Sequence, residues 1–227
     1  MSAFDGRRGW RESVALALLW RYGAHSAMVA LALWNERRPG PPLRDLVLDH
    51  VPRVAWIAQH NYHLWLALYV PLALVLWRRD RAVFVRFLWL GGWLSLARGA
   101  CVVLTGLGPV DGADPNAGAS TAALVDAWLG IVNPFTALGT DVAHVALTKD
   151  LFFSGHVSST FLLWLFVRRE RVLGPLALVA HLLVTASVFL AHLHYSIDVV
   201  GAWAITFALW TLDRARRGEG TELVPRS

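Results

Sequence analysis

An all-α, polytopic membrane protein, a bundle of six transmembrane helices, is the fold class this sequence predicts, on three observations. Hydrophobic residues make up 56% of the 227, with twelve Trp and a mean hydropathy of +0.47, well outside the composition of soluble domains. Six apolar windows approach the roughly 20 residues that a bilayer crossing needs. Arginines gather at alternate connections between those windows, the charge signature of membrane topology.

The first window, Val14 to Trp34, follows Arg7, Arg8 and Arg11. It holds Arg21 and His25 and lacks a small-residue cleavage site, so it reads as a retained span and not a signal peptide. Arg21 and His25 stand one turn apart and are expected to form a buried polar pair. Val54 to Trp77 is the second window, with His60 and His63 in its outer half, near the expected headgroup entrance. After Arg78, Arg79 and Arg81 comes the third, Val83 to Leu107, whose "GGWLSLARGA" stretch favours close helix packing. The fourth and fifth, Leu151 to Val167 and Val172 to Ala191, flank Arg168, Arg169 and Arg171. Tyr195 to Leu212 is the sixth, followed by Arg214, Arg216 and Arg217.

By the positive-inside rule the arginine-rich connections and both termini are cytoplasmic. Residues 35 to 53, 108 to 149 and the joint near His192 then face outward. Residues 108 to 149 fit, with Asp111, Asp114, Asp126 and Asp141 against a single Lys149; residues 35 to 53 do not, since Arg37, Arg38, Arg44 and Arg53 are only partly offset. "RRPGPP" interrupts any helix there, and a short interfacial helix is expected from Leu43 to His50. Residues 1 to 219 form one integral-membrane catalytic domain. The ending "LVPRS" resembles a protease-cleavage remnant, and residues 220 to 227 are set outside that domain.

The net charge of +5 does not point to nucleic acid, because the arginines flank spans and do not line one face. Lone Cys101 allows no disulfide and no cysteine metal site, and the twelve Trp read mostly as an interfacial belt. One lysine against twenty arginines is a GC-rich coding pattern that points to a bacterial inner membrane.

Two stretches carry chemistry, "DLFFSGHVSST" (150 to 160) and "LAHLHYSIDVVGAW" (190 to 203). His194 and Asp198 stand four residues apart, hence on one face of a helix. The carboxylate fixes the imidazole tautomer and leaves Nε2 as nucleophile or base; the alternative is a helix-end ion pair. Ionisable groups at membrane depth cost at least about 2.5 kcal/mol and favour the functional reading. The fourth and sixth windows both begin outside, so His156 and His194 are expected at one depth. Ser154 and Gly155 place unpaired amides of a helix start beside His156, an anion site. Two histidines, one backed by a carboxylate, suit phosphoryl transfer with no cofactor and no metal, although His156, His194 and Asp198 also form a possible zinc set. Lys149 and Asp150 sit at the mouth, to neutralise phosphate and to orient His156 or a cationic headgroup. Arg98 lies in the outer third of its span, suited to a phosphate or to an ion pair. His192 is expected to point away from His194, while His144 and His181 read as loop and bundle residues.

"KDLFFSGHVSSTFLLWLFV" and "LAHLHYSIDVV" resemble the third and fourth signature motifs of the sphingomyelin synthase family. That family is a branch of the lipid phosphatase and phosphotransferase superfamily, related to type 2 phosphatidic acid phosphatases. The resemblance implies six spans, an exoplasmic active site, and a catalytic triad of His156, His194 and Asp198, with Asp150 as the carboxylate of the third motif. "LARGACVVLTGLGP" resembles the second motif and places Arg98 and Thr105 on matching positions. Two cations of the phosphatase relatives are missing: Val188 stands where an arginine would, and no Lys-x6-Arg-Pro occurs. A dianionic monoester needs such cations, so a phosphodiester is the expected substrate. Asp126 and Asp141 are candidates for the family's headgroup-contacting loop acid.

The expected function is transfer of a phospho-headgroup from a glycerophospholipid to a lipid alcohol. The resemblance implies ceramide as acceptor and phosphatidylcholine or phosphatidylethanolamine as donor. A lipid phosphate phosphatase or phospholipase C-type hydrolase, with water as acceptor, shares every catalytic residue, and a transporter or lipid-binding scaffold is the non-enzymatic alternative.

Overall fold

In a computed structural model, residues 6–112, 114, 116–133, 135–136 and 146–219 are described, with the backbone alone for 6–13. Among them seven helices occur and no strand: α1 (Gly6–Glu36), α2 (Ala55–Arg79), α3 (Arg81–Thr105), α4 (Thr121–Val132), α5 (Gly155–Val167), α6 (Leu173–Leu190) and α7 (Ser196–Arg216). All six expected windows are helical. Four helices are long and apolar enough to cross a membrane: Val14–Glu36, Arg81–Thr105, Leu173–Leu190 and Ser196–Arg216. That makes a multi-pass membrane architecture. Of the other two windows, α2 has 25 residues but carries Gln59, His60, Asn61 and His63 near its start, and α5 is a shorter apolar helix of 13.

Local chemistry sets the helix ends. Asp80 closes α2 and opens α3, its carboxylate accepting from the Val83 amide at 2.9 Å, an N-cap that removes one orphan donor. Gly106, at φ 57°, ends α3 in the left-handed conformation that glycine adopts without penalty. Ser120 and Ser154 cap α4 and α5 through their hydroxyls. Helix α4 was not among the expected elements; it lies in the stretch between α3 and Lys149 and packs on α1. Its Leu124 and Trp128 cover a buried group of Met28, Val29, Leu33 and Val102. The expected helix from Leu43 to His50 does not form: residues 46–50 are turns, because Pro41 and Pro42 hold the approach extended.

Helix α1 lies along α3 in parallel, from Trp20 stacked on Trp89 at 5.3 Å to Arg38 donating to the Val103 carbonyl. Helix α5 is held among α3, α6 and α7, and its apolar residues Leu162 and Leu163 join Phe87, Leu90, Leu94 and Val188 in the main core. The bundle thus has two chemically distinct ends. One holds Arg79, Arg86, Arg217 and their partners Glu170, Asp213 and Glu219. The other gathers the loops after α1 and α3 and the joint between α6 and α7, and the chemistry lies there.

Candidate active site

The joint between α6 and α7 is tied down by the segment that precedes α2. His192, left-handed at φ 54°, donates Nε2–H to the Val51 carbonyl at 2.8 Å, and the Val54 amide donates to Leu190 O at 2.7 Å. The Tyr195 hydroxyl donates to the Gly108 carbonyl at 3.1 Å and accepts from the Leu43 amide at 3.0 Å. Asp45 accepts from the Ser196 amide. Burial opposes the charge of Asp45, yet hydrogen bonds from Ser196, Leu48 and Val47 outweigh it and hold the carboxyl below its usual range. The start of α7 is therefore fixed from three directions.

On that platform the His194 ring donates Nδ1–H to Asp198 Oδ2 at 3.2 Å, and the same oxygen accepts from the Tyr195 amide at 2.9 Å. Asp198 is 0% exposed and His194 5%. Nδ1 thus carries the proton of the neutral ring, which leaves Nε2 as the basic nitrogen. His194 and His156 line one cavity of about 370 Å³ between the helices, with Arg98, Asp150 and Gly155. His156 stands in the first turn of α5, its ring meeting Trp65 edge-on at 5.4 Å.

Arg98 is the hub beneath α5. Nε donates to the Phe153 carbonyl at 2.6 Å, Nη1 reaches Met28 Sδ at 3.2 Å, and Nη2 pairs with Asp150 Oδ2 at 2.8 Å. Gly155 exists for this contact, since a Cβ there would sit 3.2 Å from Arg98 Cζ. Arg98 forms the ion pair with Asp150 and also lines the cavity with His156 and His194.

Lys149 stands elsewhere than expected. Its ammonium is 2% exposed, does not line the cavity, and binds the Glu36 and Arg38 carbonyls at 2.7 and 2.9 Å and Asp114 Oδ2 at 2.6 Å. It clamps the loops after α1 and α3 together because those carbonyls, unpaired at a helix end and turned inward, need a donor there. Ser154 is buried as the cap of α5. His60 and His63 do not line the cavity; Asn61, Tyr62 and Trp65 of the same helix do. Thr105 donates to Cys101 O at 2.9 Å, within its own helix, and Asp126 is exposed on α4. Asp141 and His144 lie outside the described residues. Among the described residues no group of three His, Cys, Asp or Glu side chains is arranged to hold a metal ion.

Two contributors escaped sequence reasoning. Tyr195 is 1% exposed and joins three segments, and its one signal was a phenol between the two triad residues of the last helix. His181 accepts from Trp203 Nε1 at 3.0 Å, so its Nδ1–H donates to Thr160 at 2.9 Å, and Thr160 in turn donates to the His156 carbonyl at 3.0 Å. This chain braces the first turn of α5.

Residues 149–215 match the family model described as PAP2 superfamily C-terminal. The chain is 30% identical over 197 residues, 80% of its length, to Homo sapiens phosphatidylcholine:ceramide cholinephosphotransferase 2, of which it covers 53%. It is 31% identical over 194 residues to Homo sapiens sphingomyelin synthase-related protein 1, covering 79% of this chain and 46% of that protein. With Caenorhabditis elegans phosphatidylcholine:ceramide cholinephosphotransferase 1 it shares 29% over 199 residues, covering 80% of this chain and 42% of that protein. The chain spans about half the length of the curated relatives it matches. The matched residues 149–215 include Asp150, His156, His194 and Asp198, and over about four-fifths of its length the chain is similar to the cholinephosphotransferases and the sphingomyelin synthase-related protein named above.

Proposed function

We propose that this protein is a membrane phosphotransferase that moves phosphocholine or phosphoethanolamine from a glycerophospholipid to ceramide or a similar lipid alcohol, releasing diacylglycerol. One observation carries the reading: His156 and His194, from different helices, line a single cavity, and Asp198 holds the Nδ1–H of His194. Names of the relatives supply the substrate class.

His194 Nε2 attacks the donor phosphorus, forming a P–N bond. As the P–O bond to diacylglycerol breaks, His156, entering as imidazolium, gives its proton to the departing oxygen. Positive charge that develops on the His194 ring is stabilised through Nδ1–H by the Asp198 carboxylate. The product is a phosphohistidine and a neutral His156. In the second half, His156 removes the proton of the acceptor hydroxyl, whose oxygen displaces His194 in line. One phosphodiester replaces another, so the reaction is reversible. Arg98, paired with Asp150, fixes the start of α5 and hence His156. We place the protein in a membrane as a six-crossing bundle with cytoplasmic termini, the arginine-rich end inside, and the site on the outer face, the periplasmic side of a bacterial inner membrane.

Mass-spectrometric product analysis in mixed micelles tests this. Phosphatidylcholine, phosphatidylethanolamine and phosphatidylinositol are supplied separately, with and without ceramide, to the wild type and to His194→Ala. The expected outcome is a ceramide phospho-headgroup that depends on His194. Diacylglycerol and free phospho-headgroup alone, with ceramide present, would make water the acceptor and the protein a hydrolase.

A further inference from the structure

A bound phosphodiester brings a negative charge into a cavity walled by Tyr69, Phe87 and Leu94, where an unpaired charge is costly. The two basic residues nearest the motif are engaged. Arg98 is paired with Asp150, and Lys149 is enclosed by Asp114 and two carbonyls outside the cavity. His156 gives up its proton in the first half-reaction, so it does not neutralise the intermediate. Another cation is needed.

Arg21 meets that need. It lines the same cavity from α1, and among the described residues its one hydrogen bond is from Nη1 to the Ser95 hydroxyl, with no carboxylate paired to it. The side chain runs along α3 from Gly91, where a Cβ would lie 3.0 Å from Nε, up to Ser95. Ser95 is three residues, a rise of about 4.5 Å, before Arg98 on α3, so the guanidinium reaches toward the Arg98 end of that helix, which underlies the start of α5. Helix α3 omits a side chain at Gly91 to admit it. An arginine kept at this depth without a counter-charge is a standing cost unless an anion arrives.

We propose that Arg21 is the phosphate-binding cation of the cavity: its guanidinium takes the nonbridging oxygens of a lipid phosphodiester, while Ser95 holds the side chain in place. The inference rests on the phosphotransferase reading for the identity of the anion. Recognition is of the phosphate alone, so phosphocholine and phosphoethanolamine lipids depend on Arg21 equally.

The test is equilibrium binding in neutral maltoside micelles, in a His194→Ala background that prevents turnover. Tritiated hexadecylphosphocholine is compared with tritiated dioleoylglycerol. Adding Arg21→Gln weakens the phosphodiester about tenfold or more, the scale of a charge-assisted hydrogen bond, and leaves dioleoylglycerol binding unchanged; Arg21→Lys keeps most of the affinity. Equal binding of the phosphodiester with and without Arg21 overturns the proposal. So does a parallel loss of both ligands in both variants, which marks a packing role. If ceramide transfer is absent yet phosphodiester binding depends on Arg21, the transferase reading falls and this one stands; if transfer occurs and binding is independent of Arg21, the transferase reading stands and this one falls.

Discussion

The two ends of the bundle solve the same problem, closing helices and satisfying charges, in opposite ways. At the arginine-rich end the outermost pair, Arg79 with Glu170, has side chains 54% and 55% exposed, and Arg86 with Asp213, at 17% and 22%, is partly enclosed. At the other end the polar groups are buried and shared: Asp198, Glu36 and Lys149 are each 2% exposed or less, and loops distant in sequence meet on them. Exposed pairs are worth little and are replaceable. Buried networks are costly to break and fix geometry, so the histidines stand where positions are over-determined.

The largest contrast is expected from His194→Ala, which removes the proposed nucleophile and is expected to lower transfer by about a thousandfold or more with little change in melting temperature, read by product formation and by thermal unfolding in detergent. Next comes Gly155→Ala. Its new methyl meets Arg98 Cζ at 3.2 Å and forces the guanidinium or α5 to shift, a loss of about 1–3 kcal/mol by overpacking and a lower kcat, because His156 is the following residue. Unchanged melting and unchanged turnover would show that Arg98 does not position α5. Asp45→Asn acts on the platform and carries a pH signature. The folded carboxyl titrates below its usual range, so its stabilisation is full above the unfolded value of about 3.9 and is lost as pH falls through the lower folded value. The wild type is therefore expected to lose melting temperature on acidification below about pH 4 more steeply than Asp45→Asn, which starts lower and changes less. Smallest is Arg79→Gln, which should alter stability by less than about 1 kcal/mol and leave transfer intact; a large effect would mean that the arginine-rich end is coupled to the cavity.

The same division governs what the sequence disclosed. Helix positions were legible because apolar length and flanking arginines are local signals. The link between His194 and Asp198 was legible because four-residue spacing fixes a helix face. Long-range contacts were not. Nothing local states that Lys149 turns toward the carbonyls after α1, that Arg98 meets Asp150, or that the turns near Asp45 cap α7. Helix α4 went unread because a mostly apolar stretch of twelve residues is too short for a span. Arg21 could be noticed as a charge in a span, but its neighbours on α3 are known only from packing.

Tyr195 ties the last helical pair to the segments near Leu43 and Gly108 through a single phenol. During synthesis the first three helices leave the ribosome with those segments able to meet only each other, Gly108 donating to the Pro41 carbonyl. Their link to the last helical pair awaits Tyr195. A nascent chain stopped before Tyr195 has both histidines but neither Asp198 nor the phenol, so the arrangement around the cavity is completed in one late step of biogenesis and does not accumulate helix by helix.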